Sequence, residues 1–245
     1  MKKYLLILII FFILGIGFLF YQLYFSTAII NKHFYKSLDD YELNINYPFI
    51  PNYKFQYFDN LIIKDVINSN VFNFQNNLKS FSLRNSTSGI KSYLTINYKV
   101  IEATSSFIGV LFDLETYIAG TPHPFDYYDV LNFDLNSNKK LQLSDLFVAP
   151  SSYLQKISDF AAKDIIQQIK QGKYDSSEGY IKSCNCLSPV LDNFKNFIIN
   201  KSGLSFYFPV YVLGPYAAGP AQINIPWLYL NDVLNSNTKD LIQKL

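Results

Sequence analysis

The scarcest reactive residues in this chain are two histidines and two cysteines, and their neighbours decide what chemistry is open to them. His123 stands between Pro122 and Pro124, with Glu115 upstream and Asp126 and Asp129 just beyond. An imidazole beside a carboxylate suits a general base or a metal ligand, because the acid orients the ring and supports its charged form. The same ring between two prolines also fits a rigid turn, hydrogen-bonded to backbone carbonyls. The turn is the favoured reading: the other histidine, His33, lies near the N-terminus, and no Gly-x-Ser-x-Gly nucleophile elbow is present. Cys184 and Cys186 enclose one residue. An internal bridge is chemically allowed outside a reducing compartment, but closing a ring that small strains it, so free thiols or pairing between molecules are favoured. Metal binding needs further convergent ligands that the neighbouring sequence does not supply. Neither a metal nor a cofactor is expected.

Tyr127, Tyr128, Tyr216 and Trp227 are large rigid rings, three of them with a hydroxyl handle, and could serve as contacts for a sugar or a protein. Core packing is the competing use for each. Aromatic residues make up 18% of the chain and the formal net charge is only +2, so no basic patch points to nucleic acid.

These residues must be positioned by a fold. Lys2 and Lys3 precede an uncharged apolar run from Tyr4 to about Tyr24. That is long enough for a helix of about 20 residues across a bilayer. It is expected to stay as an anchor over 1–25, with the lysines held in the cytoplasm and the rest of the chain outside. Residues 26–40 read as a stalk. Leu43, Ile45 and Tyr47 alternate as a strand would, ended by Pro48 and Pro51. Ile62, Val66, Val71, Phe74, Leu78 and Phe81 then fall near one face at helical spacing, with Asp59 as the expected cap and a break at 85–89. Strands are expected over 92–102, 107–119 and 130–135. A second helix opens after Pro150, with Leu154, Ile157, Ala161, Ile165 and Ile169 on one side and Gly172 closing it. Residues 174–189 read as polar loop, followed by a hairpin over 193–200 and 204–213.

The most patterned stretch follows. Gly214, Pro215, Tyr216, Ala217, Ala218, Gly219 and Pro220 form a loop bracketed by two glycine–proline pairs. Ile223 and Ile225 then alternate with Gln222 and Asn224, and Pro226 opens a short helix over 227–234. This run resembles the closing motif of an extracytoplasmic domain-of-unknown-function family, shared by the lysozyme-sensing anti-sigma factor RsiV and the peptidoglycan deacetylase PdaC. A second match lies upstream, in Ala119, Gly120, Thr121, Pro122, His123 and Pro124, then Tyr127 and Tyr128, then Asn132 to Leu135 and Leu143 to Phe147. It is similar to the family's Gly-Gly-Ala-His segment and the hairpin after it. The resemblance spans about residues 41–235 and is expected to cover the shared domain alone, without sigma-binding or deacetylase parts.

The expected fold is α+β, with mainly antiparallel sheets, two long helices packed on a face and an N-terminal transmembrane helix. It divides into an N-terminal half over 41–148 and a C-terminal half over 149–245. The expected protein is non-enzymatic and single-pass in the cell membrane. Its extracytoplasmic domain binds or senses an envelope component, which the resemblance implies is peptidoglycan or a protein such as lysozyme. The expected ligand contacts are His123, Tyr127, Tyr128, Tyr216 and Trp227. Gly120, Gly214, Pro215, Gly219 and Pro220 shape the loops. The alternative is an envelope hydrolase or transferase using His123 with Asp126, Asp129 or Glu115.

Overall fold

The computed structural model of the protein describes residues 28–82 and 90–245. The expected anchor over 1–25, the break over 85–89 and the side chain of Phe81 lie outside what is described. Among the described residues no helix is long and apolar enough to cross a membrane.

The larger sheet contains β1 (Ile30–Ser37), β2 (Tyr41–Phe49), β3 (Ser92–Ala103), β4 (Phe107–Tyr117), β5 (Phe125–Asp134) and β6 (Lys139–Lys140), hydrogen-bonded in that order. All pairs are antiparallel except β2 with β3, so this sheet is mixed rather than purely antiparallel. The exception has a cause. A long helical run carries the chain from the end of β2 back to its starting side, and only a crossover of that length lets two strands run parallel. Residues 30–37, expected within a stalk, instead form edge strand β1, exposed at every position. With neither face covered, β1 carries no inside–outside alternation by which it could be recognised.

One face of this sheet is apolar: Leu43 and Ile45 of β2, Leu94 and Ile96 of β3, Val110, Phe112 and Leu114 of β4, and Leu131 and Phe133 of β5 are buried together. The run that covers it is α1 (Gln56–Leu61), a π-helical stretch (Ile62–Asn68) and α2 (Ser69–Ser82). It contributes Phe58, Ile62, Val66, Phe74 and Leu78 to the same core. Phe58 meets Phe133 edge to face with ring centroids 5.3 Å apart. Each such side chain stabilises the fold by about 1.5–3 kcal/mol through burial.

The Asp59 cap expected from the sequence is not formed. The chain turns helical earlier, over Tyr53–Phe55, where the Asn52 side chain caps by accepting from the Lys54 amide at 3.0 Å. Asp59 lies inside the helix, only 7% exposed, and accepts from the Ile50 amide at 3.0 Å. Burial pushes its carboxyl up to about 6, and the Ile50 hydrogen bond opposes the rise. The folded state therefore holds this proton more tightly than the unfolded chain, and stability falls as pH rises from about 4 to about 6. Asp59→Asn keeps an oxygen acceptor for Ile50 and removes the charge. It is expected to flatten that slope and to raise stability at pH 7 by about 2–3 kcal/mol in urea titrations at several pH values. An unchanged slope in the variant would contradict this.

The C-terminal half has its own core. The smaller antiparallel sheet is β7 (Phe197–Asn200), β8 (Gly203–Phe208) and β9 (Ala221–Pro226). Against it lies α3 (Tyr153–Lys170), with Ile157, Ala161 and Ile165 buried and Leu154 and Ile169 partly so, as the helical spacing predicts. Strand β8 stops at Phe208, short of the expected 213, because Pro209 supplies no amide to the ladder. The polar stretch 174–189 is not wholly loop: it contains α4 (Glu178–Ser183) and buries Tyr174, Ile181 and Leu187. Its apolar residues are too sparse to show a period. The helix expected over 227–234 ends at Leu230 as α5 (Trp227–Leu230), and a further helix, α6 (Ser236–Ile242), follows it, capped by Asn235, which accepts from the Thr238 amide at 2.9 Å.

The two halves meet on the outer face of the larger sheet. Asn132 of β5, only 1% exposed, donates to the Phe197 carbonyl at 2.8 Å and accepts from the Ile199 amide at 2.9 Å. One amide side chain thus joins β5 to the backbone of β7.

Candidate functional site

Alternation in the larger sheet sorts its residues by face. Even positions of β5 such as Asp126 and Tyr128 share the outer face with Asp113 and Glu115 of β4 and Thr95 and Asn97 of β3, as the strand register requires. The second half covers only one end of this face. The remainder forms a cleft of about 250 Å³ lined by Thr95, Asn97, Asp113, Glu115, Asp126, Tyr128 and Pro220. Both motif loops therefore contribute to it, Asp126 and Tyr128 following the first and Pro220 closing the second. Tyr128 also packs on Tyr207 of β8, ring centroids 5.6 Å apart.

The acids share a strained electrostatic setting. Burial raises the carboxyls of Asp113 and Asp126, and the nearby charge of Glu115 raises both further. Lys99 opposes the shift at Asp113, and His123 opposes it at Asp126. The Tyr93 hydroxyl donates a hydrogen bond to Glu115, and burial followed by that carboxylate pushes the phenol pKa upward. Tyr128 is pushed up to about 12, first by burial and then by Asp113 and Asp126. Among the described residues no group of His, Cys, Asp or Glu is arranged to hold a metal ion.

At the rim of the cleft the two loops touch. The His123 ring stacks on Tyr216, with centroids 3.7 Å apart and planes at 21°. Its Nδ1 lies 2.8 Å from the Pro124 carbonyl oxygen, which can only accept, so Nδ1 carries the proton. In the neutral ring Nε2 is then the acceptor for the Tyr211 hydroxyl at 2.9 Å. Both ring nitrogens are occupied, and the imidazole acts as a clasp between loops. The second loop is itself braced from 174–180: the Ser176 hydroxyl donates to the Leu213 carbonyl at 2.8 Å, and the Tyr174 hydroxyl donates to the Gly219 carbonyl at 3.3 Å. Gly219 takes φ of +71°, which favours glycine, and a side chain at Gly214 would meet the Ser176 Cβ at 3.0 Å. Between them Tyr216–Ala218 form one tight helical turn after Pro215. Gly120, at φ +96°, turns the first loop.

Tyr128 lines this cleft, His123 and Tyr216 stack on each other next to it, and the other two expected contacts lie elsewhere. Tyr127, an odd position of β5, faces the helical layer and packs partly buried against the first core. Trp227 sits in the second core, 9% exposed, with Nε1 donating to the Asn200 carbonyl at 2.9 Å. Asp129 also points to the helical side, where the Asn70 amide donates to it at 2.6 Å, so it does not join His123. Asp126 and Glu115 do lie on the His123 side. The cysteines form the internal bridge, contrary to the favoured reading. The turn after α4 brings their Cα atoms to 5.1 Å, inside the range of about 4.4–6.8 Å that a disulfide accepts.

Sequence reasoning missed Phe125, Tyr211 and Asp113. Asp113 and Glu115 flank buried Leu114, an alternation that marks an outward polar pair in an otherwise apolar strand. Nothing in the sequence marked Tyr211.

Residues 144–228 match a known family. It is DUF3298, described as a protein of unknown function. The DUF3298 match takes in α3, the smaller sheet and the Gly214–Pro220 loop. Solved DUF3298 structures extend the likeness of fold to most of the chain. A member from Bacteroides fragilis superposes with a TM-score of 0.60 at 18% identity, covering 89% of this chain and 96% of that one. A DUF3298 family protein from Pseudomonas aeruginosa gives 0.63 at 14% identity, covering 87% and 95%. In sequence the chain is 24% identical over 196 residues to the peptidoglycan-N-acetylmuramic acid deacetylase PdaC of Bacillus subtilis. The alignment takes in 80% of this chain but only 39% of that enzyme.

Proposed function

We propose that this is a non-enzymatic binding domain of the cell envelope, held at the membrane by its N-terminal segment with the folded part outside, and that its ligand docks in the cleft between the two halves. The observation that carries this reading is the meeting of two motif loops, His123 stacked on Tyr216 and bonded to Tyr211 88 residues away, next to a polar cavity whose lining includes Asp126 and Pro220. Proline and glycine hold both loops rigid, so little ordering entropy opposes binding. The likeness to an enzyme named for peptidoglycan supports an envelope ligand, either the glycan itself or a protein that reaches it, such as lysozyme. The test uses full-length protein in detergent with purified cell-wall sacculi and with lysozyme. His123→Ala combined with Tyr216→Ala is expected to weaken binding at least about tenfold, a loss of about 1.4 kcal/mol, while the protein stays folded. Unchanged binding accompanied by a lower melting temperature would make both residues purely structural.

One observation favours a second reading, an envelope hydrolase or transferase. A partly buried carboxyl raised first by desolvation and then by a neighbouring acid, as at Asp126 beside Glu115, is a common form of a general acid. His123 fits such chemistry less well, because both of its nitrogens are engaged. Turnover of an envelope glycan that vanished with Asp126→Asn would establish this reading.

A further inference from the structure

Tyr211 is a bulky residue with φ of +69°, a left-handed conformation that side chains other than glycine, asparagine and aspartate adopt at a steric cost. Burial does not repay that cost, since the residue is 48% exposed. The conformation is held from outside: the Tyr180 hydroxyl donates to the Tyr211 carbonyl at 3.3 Å, and the Tyr211 hydroxyl donates to His123. A strained backbone that presents an exposed ring is the pattern found where function, rather than packing, sets the geometry. Phe125, 41% exposed, lies beside it with its ring plane only 11° from that of Tyr211 and centroids 6.4 Å apart. Tyr216 adds a third ring, 5.6 Å from Tyr211.

We infer that Tyr211 and Phe125 form a platform for the ring face of a saccharide, with Tyr211 the leading contact. This rests on the docking reading above and names its ligand class. The chemistry of the two surfaces selects the occupant. Exposed rings take the C–H face of a pyranose, while Asp113, Glu115 and Asp126 line the adjoining cleft, form no salt bridge among the described residues and keep acceptor capacity beyond the Tyr93 bond to Glu115. A ligand rich in hydroxyl donors satisfies them. An anionic ligand meets three carboxylates and is disfavoured.

The test measures calorimetric binding of a linear N-acetylglucosamine tetramer, and separately of a lysine-rich peptide, to the full-length protein in detergent. Tyr211→Asn supplies a residue that tolerates the left-handed backbone and removes the ring. It is expected to melt at or above the wild-type temperature yet bind the tetramer at least about tenfold more weakly. Tyr211→Phe keeps the ring and loses only the bond to His123, so its affinity should stay within about threefold of wild type. Wild-type affinity in Tyr211→Asn overturns the proposal. If that variant fails to fold, Phe125→Ala decides in its place, and retained affinity again overturns it. Binding of the peptide but not the tetramer overturns the saccharide class while the docking reading stands. Loss of sacculus and lysozyme binding by the wild type removes both.

Discussion

Asn132→Ala is expected to destabilise the protein by about 3 kcal/mol or more, seen as a lower denaturant midpoint with little change in slope. The variant removes one donor and one acceptor together and leaves the Phe197 carbonyl and the Ile199 amide buried without partners. Each orphaned group costs about 1–3 kcal/mol, because water cannot reach it to replace the lost bond. Asn132→Asp separates the two contributions. Its carboxylate still accepts from Ile199 but faces the Phe197 carbonyl with no proton to give, so it is expected to be at least as damaging at pH 7 as alanine. Recovery of Asn132→Asp below about pH 4, where a carboxyl regains a donor, would identify the lost Phe197 bond as the cause. A variant of either kind with wild-type stability would show that the Asn132 bonds contribute little to holding the halves together.

Gly203→Ala is expected to be the most damaging single methyl in the described structure, costing more than about 3 kcal/mol. A Cβ there would lie 2.0 Å from the Ile225 carbonyl oxygen, 2.8 Å from its carbon and 3.0 Å from the Pro226 Cα, all of them backbone. No side-chain rotation relieves that contact. Strand β9 would have to move away from β8 at the pair Gly203 and Pro226, which displaces Trp227 and its bond to Asn200. Thermal melts and near-ultraviolet circular dichroism of the only tryptophan report both effects. An alanine variant with an unchanged melting temperature would refute the contact. Gly219→Ala meets no neighbouring atom but must adopt φ of +71° with ψ of −171°, a region essentially confined to glycine, and it is expected to cost about 1–3 kcal/mol.

What could be read from the sequence was what burial writes into it. Leu94 and Ile96 alternate because β3 has one covered face, and Ile157, Ala161 and Ile165 recur because one side of α3 is covered. The glycine and proline residues around Tyr216 announced a shaped loop because few other residues tolerate such backbone. Features set by partners distant in the chain left no such trace. The parallel pairing of β2 with β3 depends on where the helical run returns the chain. The outward or inward direction of Asp126, Tyr127 and Asp129 depends on a strand that begins at Phe125, five residues earlier than the apolar run suggested. Tyr211 stands against its own local preference, held there by Tyr180 and His123, and a local signal cannot report a conformation imposed from elsewhere.

Edge strand β1 has a mechanical meaning once the N-terminus is tethered as proposed. It places no residue in the core, so its attachment to β2 is a ladder of backbone bonds and exposed side-chain contacts. Tension entering at Ile30 reaches the pair Ile30 and Phe49 first and then loads successive pairs toward Ser37 and Glu42. Antiparallel strands pulled from one end in this way unzip rung by rung instead of resisting as a whole. Releasing the eight residues of β1 would pay out up to about 28 Å of chain while leaving the apolar core, the cleft and its aromatic rim intact. With such a tether, the strand would serve as an extension of it, letting the folded body move away from the anchor before any of its core yields.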